Sequence, residues 1–218
     1  EDCVPKEMER ADIDGVVEWF AAATKRALAA GFEVVEAHMA HGYLLHEFLS
    51  PITNRRVDDY GGDFENRIRL PLRVAQTVRG IWPAGLPVFV RISATDWVEG
   101  GWDLQQSVEF ARRLKSIGVD LIDVSSGGLA HNAKIPVAPG FQASFAAAIR
   151  KEAGMPTSSV GVITEAGQAE QILAKGQADA ICLGRELLRN PYWPLTAAKK
   201  LGAEISWRVQ GRFLGVAN

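Results

Sequence analysis

Cysteine is nearly absent from this chain: of 218 residues, only Cys3 and Cys182 carry a thiol, far apart and in no CxxC arrangement. That excludes a disulfide framework and the thiolate ligands of an iron–sulfur or zinc site, and it fits a reducing, cytoplasmic setting. An excess of either charge is missing too. With a formal net charge of −2 there is no basic field to hold nucleic acid. No apolar run approaches the ~20 residues that a membrane helix requires, so neither nucleic acid nor membrane is expected as a partner. The first ten residues, EDCVPKEMER, contain no initiator Met, no basic n-region and no apolar h-region, so no signal peptide is expected and the start reads as a cut. Histidine is scarce at four residues, yet three of them fall within nine positions of the stretch EAHMAHGYLLHEFLSP, Glu36 to Pro51.

The composition, 47% hydrophobic and 23% charged, is that of ordinary globular material able to form a sizeable core. Hydrophobic period divides the chain into helices over about 13–30, 66–82, 104–117, 144–153, 165–175 and 191–201. Strands are expected at 32–37, 86–93, 119–126, 158–164 and 178–185. The alternation is strict, and mostly apolar strands separated by helices are what a parallel sheet covered by helices needs. An open doubly wound sheet would gather its polar groups at one switch point. Here His38, Arg91, Ser125 with Ser126, Gly161 and Arg185 fall at or just beyond successive strand ends, where barrel enzymes collect active-site groups. The expected fold is therefore a TIM (β/α)8 barrel with only about the last five βα units in this chain. No linker divides it, so residues 1–218 read as one partial domain.

Chemistry-bearing residues concentrate at those strand ends. Gly161 and Gly184, each ahead of a helix, let backbone N–H groups approach an anion, and Arg185 adds a fixed cation, a pattern suited to phosphate. The competing reading is that the glycines only relieve crowding. Arg91, within the apolar VFVRIS, must be paired if buried. Either Asp123 provides a structural ion pair, or the arginine faces an anion or an electron-rich ring at the barrel mouth. His38 and His41, three apart at a strand end, can aim two imidazoles at one point. A zinc site would need a third ligand and a second-shell carboxylate, and no HExxH or later ligand set supplies them, so no metal is expected. Two neutral N–H donors could instead polarise a carbonyl, with Tyr43 delivering a proton; spacing does not decide between these. His46 is expected to be packed or to start a helix, and His131 stands alone in a loop. In SPITNRRVDDYGGDFENRIR, Gly61 and Gly62 suggest a tight turn and Asp63 an N-cap. Asn66, Arg67 and Arg69 are suited to tie the loop back, and Arg55 or Arg56 is a secondary candidate for facing ligand.

Taken together, EAHMAHGYLLHEFLSPITNRRVDDYGGDFENR, VRISATDWVEGGW, LIDVSSGG and VGVIT with LGRELLRNPYWP resemble the thermophilic-like branch of the Old Yellow Enzyme family of flavin-dependent ene-reductases. The resemblance runs over nearly the whole chain. It implies an FMN-bearing barrel that takes hydride from NADPH or NADH and passes it to the β-carbon of an activated alkene. By the same resemblance His38 and His41 hold the substrate's carbonyl or nitro oxygen, Tyr43 protonates the α-carbon, and Arg91 lies beside the flavin N1/O2 edge. Gly161, Gly184 and Arg185 correspond to the FMN phosphate cradle, with Trp193 near the flavin's outer edge. The related 2,4-dienoyl-CoA reductases add a cysteine-ligated cluster and a second nucleotide-binding domain, which two dispersed cysteines do not support. Family members carry three strands ahead of the part matched here, with further flavin contacts. Their tail reads WPxQYxR, whereas this chain has Trp207, Arg208, Val209, Gln210, Gly211, Arg212 and Phe213. A homo-oligomer, and a complementary N-terminal fragment, are the expected protein partners. The alternative is a truncated, non-catalytic barrel fragment that binds phosphate, FMN or another chain without turnover.

Overall fold

The computed structural model describes residues 6–204. Cys3 and the tail residues Trp207 to Phe213 lie outside the described residues. Five strands, β1 (Val35–Met39), β2 (Val88–Ser93), β3 (Leu121–Ser125), β4 (Thr157–Ser159) and β5 (Ala180–Ile181), form one sheet in the order 1-2-3-4-5. All four pairings are parallel. The helices are α1 (Arg10–Ala29), α2 (Leu44–Leu49), α3 (Phe64–Arg67), α4 (Arg69–Ile81), α5 (Leu104–Ser116), α6 (Ala143–Ala153), α7 (Ala166–Ala174), α8 (Arg185–Arg189) and α9 (Trp193–Leu201). Sequential parallel order with intervening helices is the winding of a (β/α)8 barrel, here over five strands. Among the described residues no helix is long and apolar enough to cross a membrane.

Strands β1, β2 and β3 each present two unlike faces. Ala37 and Met39 of β1, Val88, Val90 and Ile92 of β2, and Ile122 and Val124 of β3 are buried in the main core. Burying each larger aliphatic side chain stabilises the layer by roughly 1.5–3 kcal/mol. The opposite face is polar: the register sets His38 beside Arg91, Arg91 beside Asp123, and Asp123 beside Ser158. The mostly apolar character expected of the strands is therefore concentrated on the helix side. Because side chains alternate across a strand, one residue in two supplies this row.

The expected strands at 158–164 and 178–185 are far shorter in the structure. Gly161 (φ 123°) and Val162 (φ 50°) both take left-handed backbone that no ladder accommodates, so VGVIT becomes the loop after β4. Arg185 opens α8 rather than ending β5. The expected helix over 66–82 is two helices that meet at Ile68. Pro71 has no N–H to offer the carbonyl of Arg67, and the ladder breaks there. Asp63 caps α3 as expected, accepting from the Asn66 N–H at 2.9 Å. Arg67 donates to the carbonyls of Leu49 and Gly62 and to Gln106 Oε1, and Arg69 donates to the carbonyl of Asp59, so the charged loop is tied down as anticipated. The Arg56 guanidinium donates to Asp58 and to the carbonyl of Met8.

Candidate functional site

At the C-terminal end of β1 the chain turns sharply. His41 (φ 60°) and Gly42 (φ 77°) are consecutive left-handed residues, and Tyr43 caps α2 immediately afterwards. A Cβ on Gly42 would stand 2.5 Å from the carbonyl oxygen of Gly128, and one on Gly128 would stand 2.7 Å from His41 Cα. The turn and the loop after β3 thus meet backbone to backbone, which only paired glycines permit. Serines hold the histidine: the His41 N–H donates to Ser93 Oγ at 3.0 Å, and the Ser93 hydroxyl donates to the carbonyl of Gly127 at 2.8 Å. His41 Nε2 lies 2.7 Å from Ser125 Oγ.

This geometry brings three of the sequence candidates together. The rings of His38 and His41 lie 5.2 Å apart between centroids, and the ring of Tyr43 lies 5.3 Å from His38. Tyr43 is 64% exposed, with its phenol free to reach solvent or a ligand. Burial lowers the His41 pKa to about 4, with the nearby Arg91 and His38 charges adding to the effect. Burial and Arg91 also hold His38 below its ordinary value. Both rings are consequently neutral near pH 7, each with one N–H donor and one acceptor nitrogen.

Next along the polar row, Arg91 Nη1 pairs with Asp123 Oδ2 at 3.1 Å, and Asp123 Oδ1 accepts the Ser158 hydroxyl at 2.6 Å. The structural ion pair is therefore real, yet Arg91 Nε is buried without a hydrogen-bond partner among the described residues. That donor lies buried on the sheet's polar side. Glu36, two residues before His38, has its pKa raised to about 7 by burial and by the Asp123 charge, against the opposing pull of Arg91.

Beyond β4 and β5 lies a cavity of about 310 Å³ lined by Gly161, Thr164, Cys182, Gly184, Arg185 and Arg189, among others. Its two glycines differ in kind. A Cβ on Gly161 would press against Phe141 and Gln142 Nε2, both at 2.8 Å, so crowding and a left-handed backbone explain that glycine. A Cβ on Gly184 would meet nothing within 4 Å, so its bareness opens the backbone to the cavity. Trp193 lies on α9 with its indole N–H on the carbonyl of Thr164 at 2.8 Å; it buttresses the loop and does not line the cavity. Among the described residues no group of three or more His, Cys, Asp or Glu side chains is arranged to hold a metal. Sequence reasoning missed Ser93, Gly127 and Gly128 as supports of the turn. Ser125 carried a signal, a polar residue at a strand end, but its partner lies 84 positions away.

A family model described as the NADH:flavin oxidoreductase / NADH oxidase family matches residues 1–204. The chain is 52% identical over 206 residues to the NADPH dehydrogenase of Geobacillus thermodenitrificans and 50% identical over 206 residues to that of Bacillus subtilis. Each match covers 94% of this chain and 60% of the relative, so the chain spans about 60% of the length of the curated relatives it matches. Among solved structures it resembles morphinone reductase, with TM-score 0.75, 30% identity, and 97% of this chain against 55% of that one. It also resembles the old yellow enzyme homologue from Zymomonas mobilis, with TM-score 0.75, 28% identity, and 95% against 57%.

Proposed function

The chain belongs to the NADH:flavin oxidoreductase / NADH oxidase family, the Old Yellow Enzyme family, and on that premise we propose that it forms the substrate-holding part of an NAD(P)H-dependent FMN enzyme that reduces the C=C bond of α,β-unsaturated carbonyl or nitro compounds. The observation that carries this reading is the pair of neutral imidazoles 5.2 Å apart beside an exposed tyrosine, on the same sheet face as an arginine whose buried Nε–H has no partner among the described residues.

The residues present fit FMN on two counts. Arg91 Nε has no hydrogen-bond partner among the described residues, and Gly184 leaves open space beside Arg185 in the cavity beyond β5. Arg185, Gly184 and Gly161 would hold the phosphate, and Arg91 would face the electron-rich edge of the ring system. Trp193 contributes by fixing the loop that contains Gly161. When bound and reduced, FMN supplies the hydride.

The chain's own part is to bind, orient and protonate. His38 and His41, held neutral by burial, donate N–H hydrogen bonds to the carbonyl or nitro oxygen and draw electron density from the alkene. A cationic imidazole is not required, and two neutral donors avoid mutual repulsion. Tyr43, beside His38, supplies the proton to the α-carbon. The protein partner is a further copy of the chain, and the small-molecule partner is the activated alkene.

The test is FMN titration followed by NADPH-dependent reduction of 2-cyclohexenone. Bound flavin and turnover that falls in both His41→Ala and Tyr43→Phe support the reading. Flavin binding with no turnover by the unaltered chain supports instead a chain that binds without catalysis.

A further inference from the structure

The turn bearing His41, Gly42 and Tyr43 rests on a buried pair that the proposed chemistry leaves unused. His46 of α2 and Asp96 in the loop after β2 have fully buried side chains. His46 Nε2 lies 2.9 Å from Asp96 Oδ1, within ion-pair range though off the axis of a linear hydrogen bond. On the other side of the ring, the Gly42 N–H donates to His46 Nδ1 at 3.0 Å. Asp96 is itself fixed: its Oδ2 accepts the Ser50 hydroxyl at 2.6 Å and the Trp102 N–H at 2.7 Å.

We propose that His46 and Asp96 are positioning residues for the substrate clamp, with the carboxylate setting the proton of the buried imidazole so that its other nitrogen anchors the Gly42 N–H. This rests on the reading that His41 and Tyr43 handle the substrate. An Nδ1 that accepts Gly42's N–H carries no proton, so the neutral ring has its proton on Nε2, facing Asp96. Without that acceptor, the N–H at the centre of a two-residue left-handed turn would be left unpaired. The turn then has no local reason to hold His41 at φ 60°. Burial alone would raise the Asp96 pKa, but donors from His46, Ser50 and Trp102 outweigh it and keep the carboxyl lowered and ionised. The chain of contacts runs from β2's loop through α2 to the end of β1. The clamp is thereby locked to the strand that carries Arg91.

Three variants separate positioning from bulk stability. In Asp96→Asn the oxygen stays with Ser50 and Trp102, because both donate to it, and the amide NH2 turns to His46 Nε2. Two donors then oppose each other, and the imidazole relieves the clash by moving its proton to Nδ1, against Gly42. His46→Asn keeps an acceptor near the Nδ1 position, and His46→Leu keeps none. Ring 1H–15N correlation spectra of the chain are expected to show His46 protonated on Nε2 in the unaltered protein and on Nδ1 in Asp96→Asn. The His38 and His41 ring signals should move in Asp96→Asn and His46→Leu, and less in His46→Asn. With FMN bound, kcat for 2-cyclohexenone is expected to fall roughly 10–100-fold in Asp96→Asn and His46→Leu while KM changes less than about threefold, with His46→Asn closer to the unaltered protein. An Nδ1–H form in the unaltered protein would overturn the proposal. So would unmoved His38 and His41 signals in Asp96→Asn, or His46→Asn performing no better than His46→Leu at equal melting temperature. If His46→Leu does not fold, Asp96→Asn and His46→Asn decide alone. A chain that reduces no alkene refutes the clamp reading, while the ring spectra still decide whether this pair holds the turn.

Discussion

Replacing Gly42 by alanine tests the backbone contact at the heart of the site. The residue sits at φ 77°, where an L side chain costs about 1–2 kcal/mol. Its new Cβ would also lie 2.5 Å from the Gly128 carbonyl oxygen, so two backbone segments must part. Overpacking of that kind adds about 1–3 kcal/mol. Gly62 supplies the control, since at φ 82° it bears the same conformational cost but a Cβ there meets nothing within 4 Å. At about 2–4 °C per kcal/mol for a chain of this size, Gly62→Ala should lower Tm by about 4 °C and Gly42→Ala by about 10 °C. Thermal unfolding followed by circular dichroism measures both. Equal melting temperatures for the two variants would refute the claim that the turn and the β3 loop are in rigid contact.

Glu36 binds a proton more tightly folded than unfolded, its pKa rising from 4.5 to about 7, so its contribution to stability declines as pH rises through that window. Glu36→Gln should flatten the decline in Tm across that range. His41 has the opposite sign: its folded pKa of about 4 lies below the ordinary 6.5, so acid between those values weakens the fold, and its ring resonances should stay unprotonated down to about pH 4 in an NMR titration. Arg91→Met strands the 2% exposed Asp123 and should cost about 3–5 kcal/mol in urea unfolding, whereas adding Asp123→Leu to the same chain should recover part of the loss. Arg185→Ala should weaken FMN binding at least tenfold in a fluorescence titration while leaving Tm within about 2 °C, because its side chain is exposed at the cavity and unpaired by any carboxylate among the described residues.

The strand order was readable because local period carries it, and it held for every strand, while the short helices α2 and α8 were not among the expected elements. The strand lengths were not. VGVIT has the apolar character of a strand, and nothing in its letters announces left-handed backbone at both Gly161 and Val162. Pro71 did announce the break between α3 and α4, but a helical period running across it concealed the break. At the site, the spacing of His38, His41 and Tyr43 pointed to one location. What fixes them there is non-local: Ser93, Ser125, Gly128 and Asp96 come from other strands and loops, and single-chain period holds no record of such pairings. Arg91 was legible as a residue needing a partner, and Asp123 was the partner named. That Nε would find no partner among the described residues depended on the angle of the guanidinium.

The row His38, Arg91, Asp123 and Ser158 runs straight across four strands. A slip of β2 by one residue would turn Arg91 into the apolar layer beside residues of the neighbouring strands such as Met39 and Val124, where an unpaired cation is far costlier than any pairing gained, and would push Val90 and Ile92 onto the polar face. The same holds for Asp123 on β3. The same charged row therefore also proofreads the sheet's assembly, since a misaligned strand is disfavoured by its own charge.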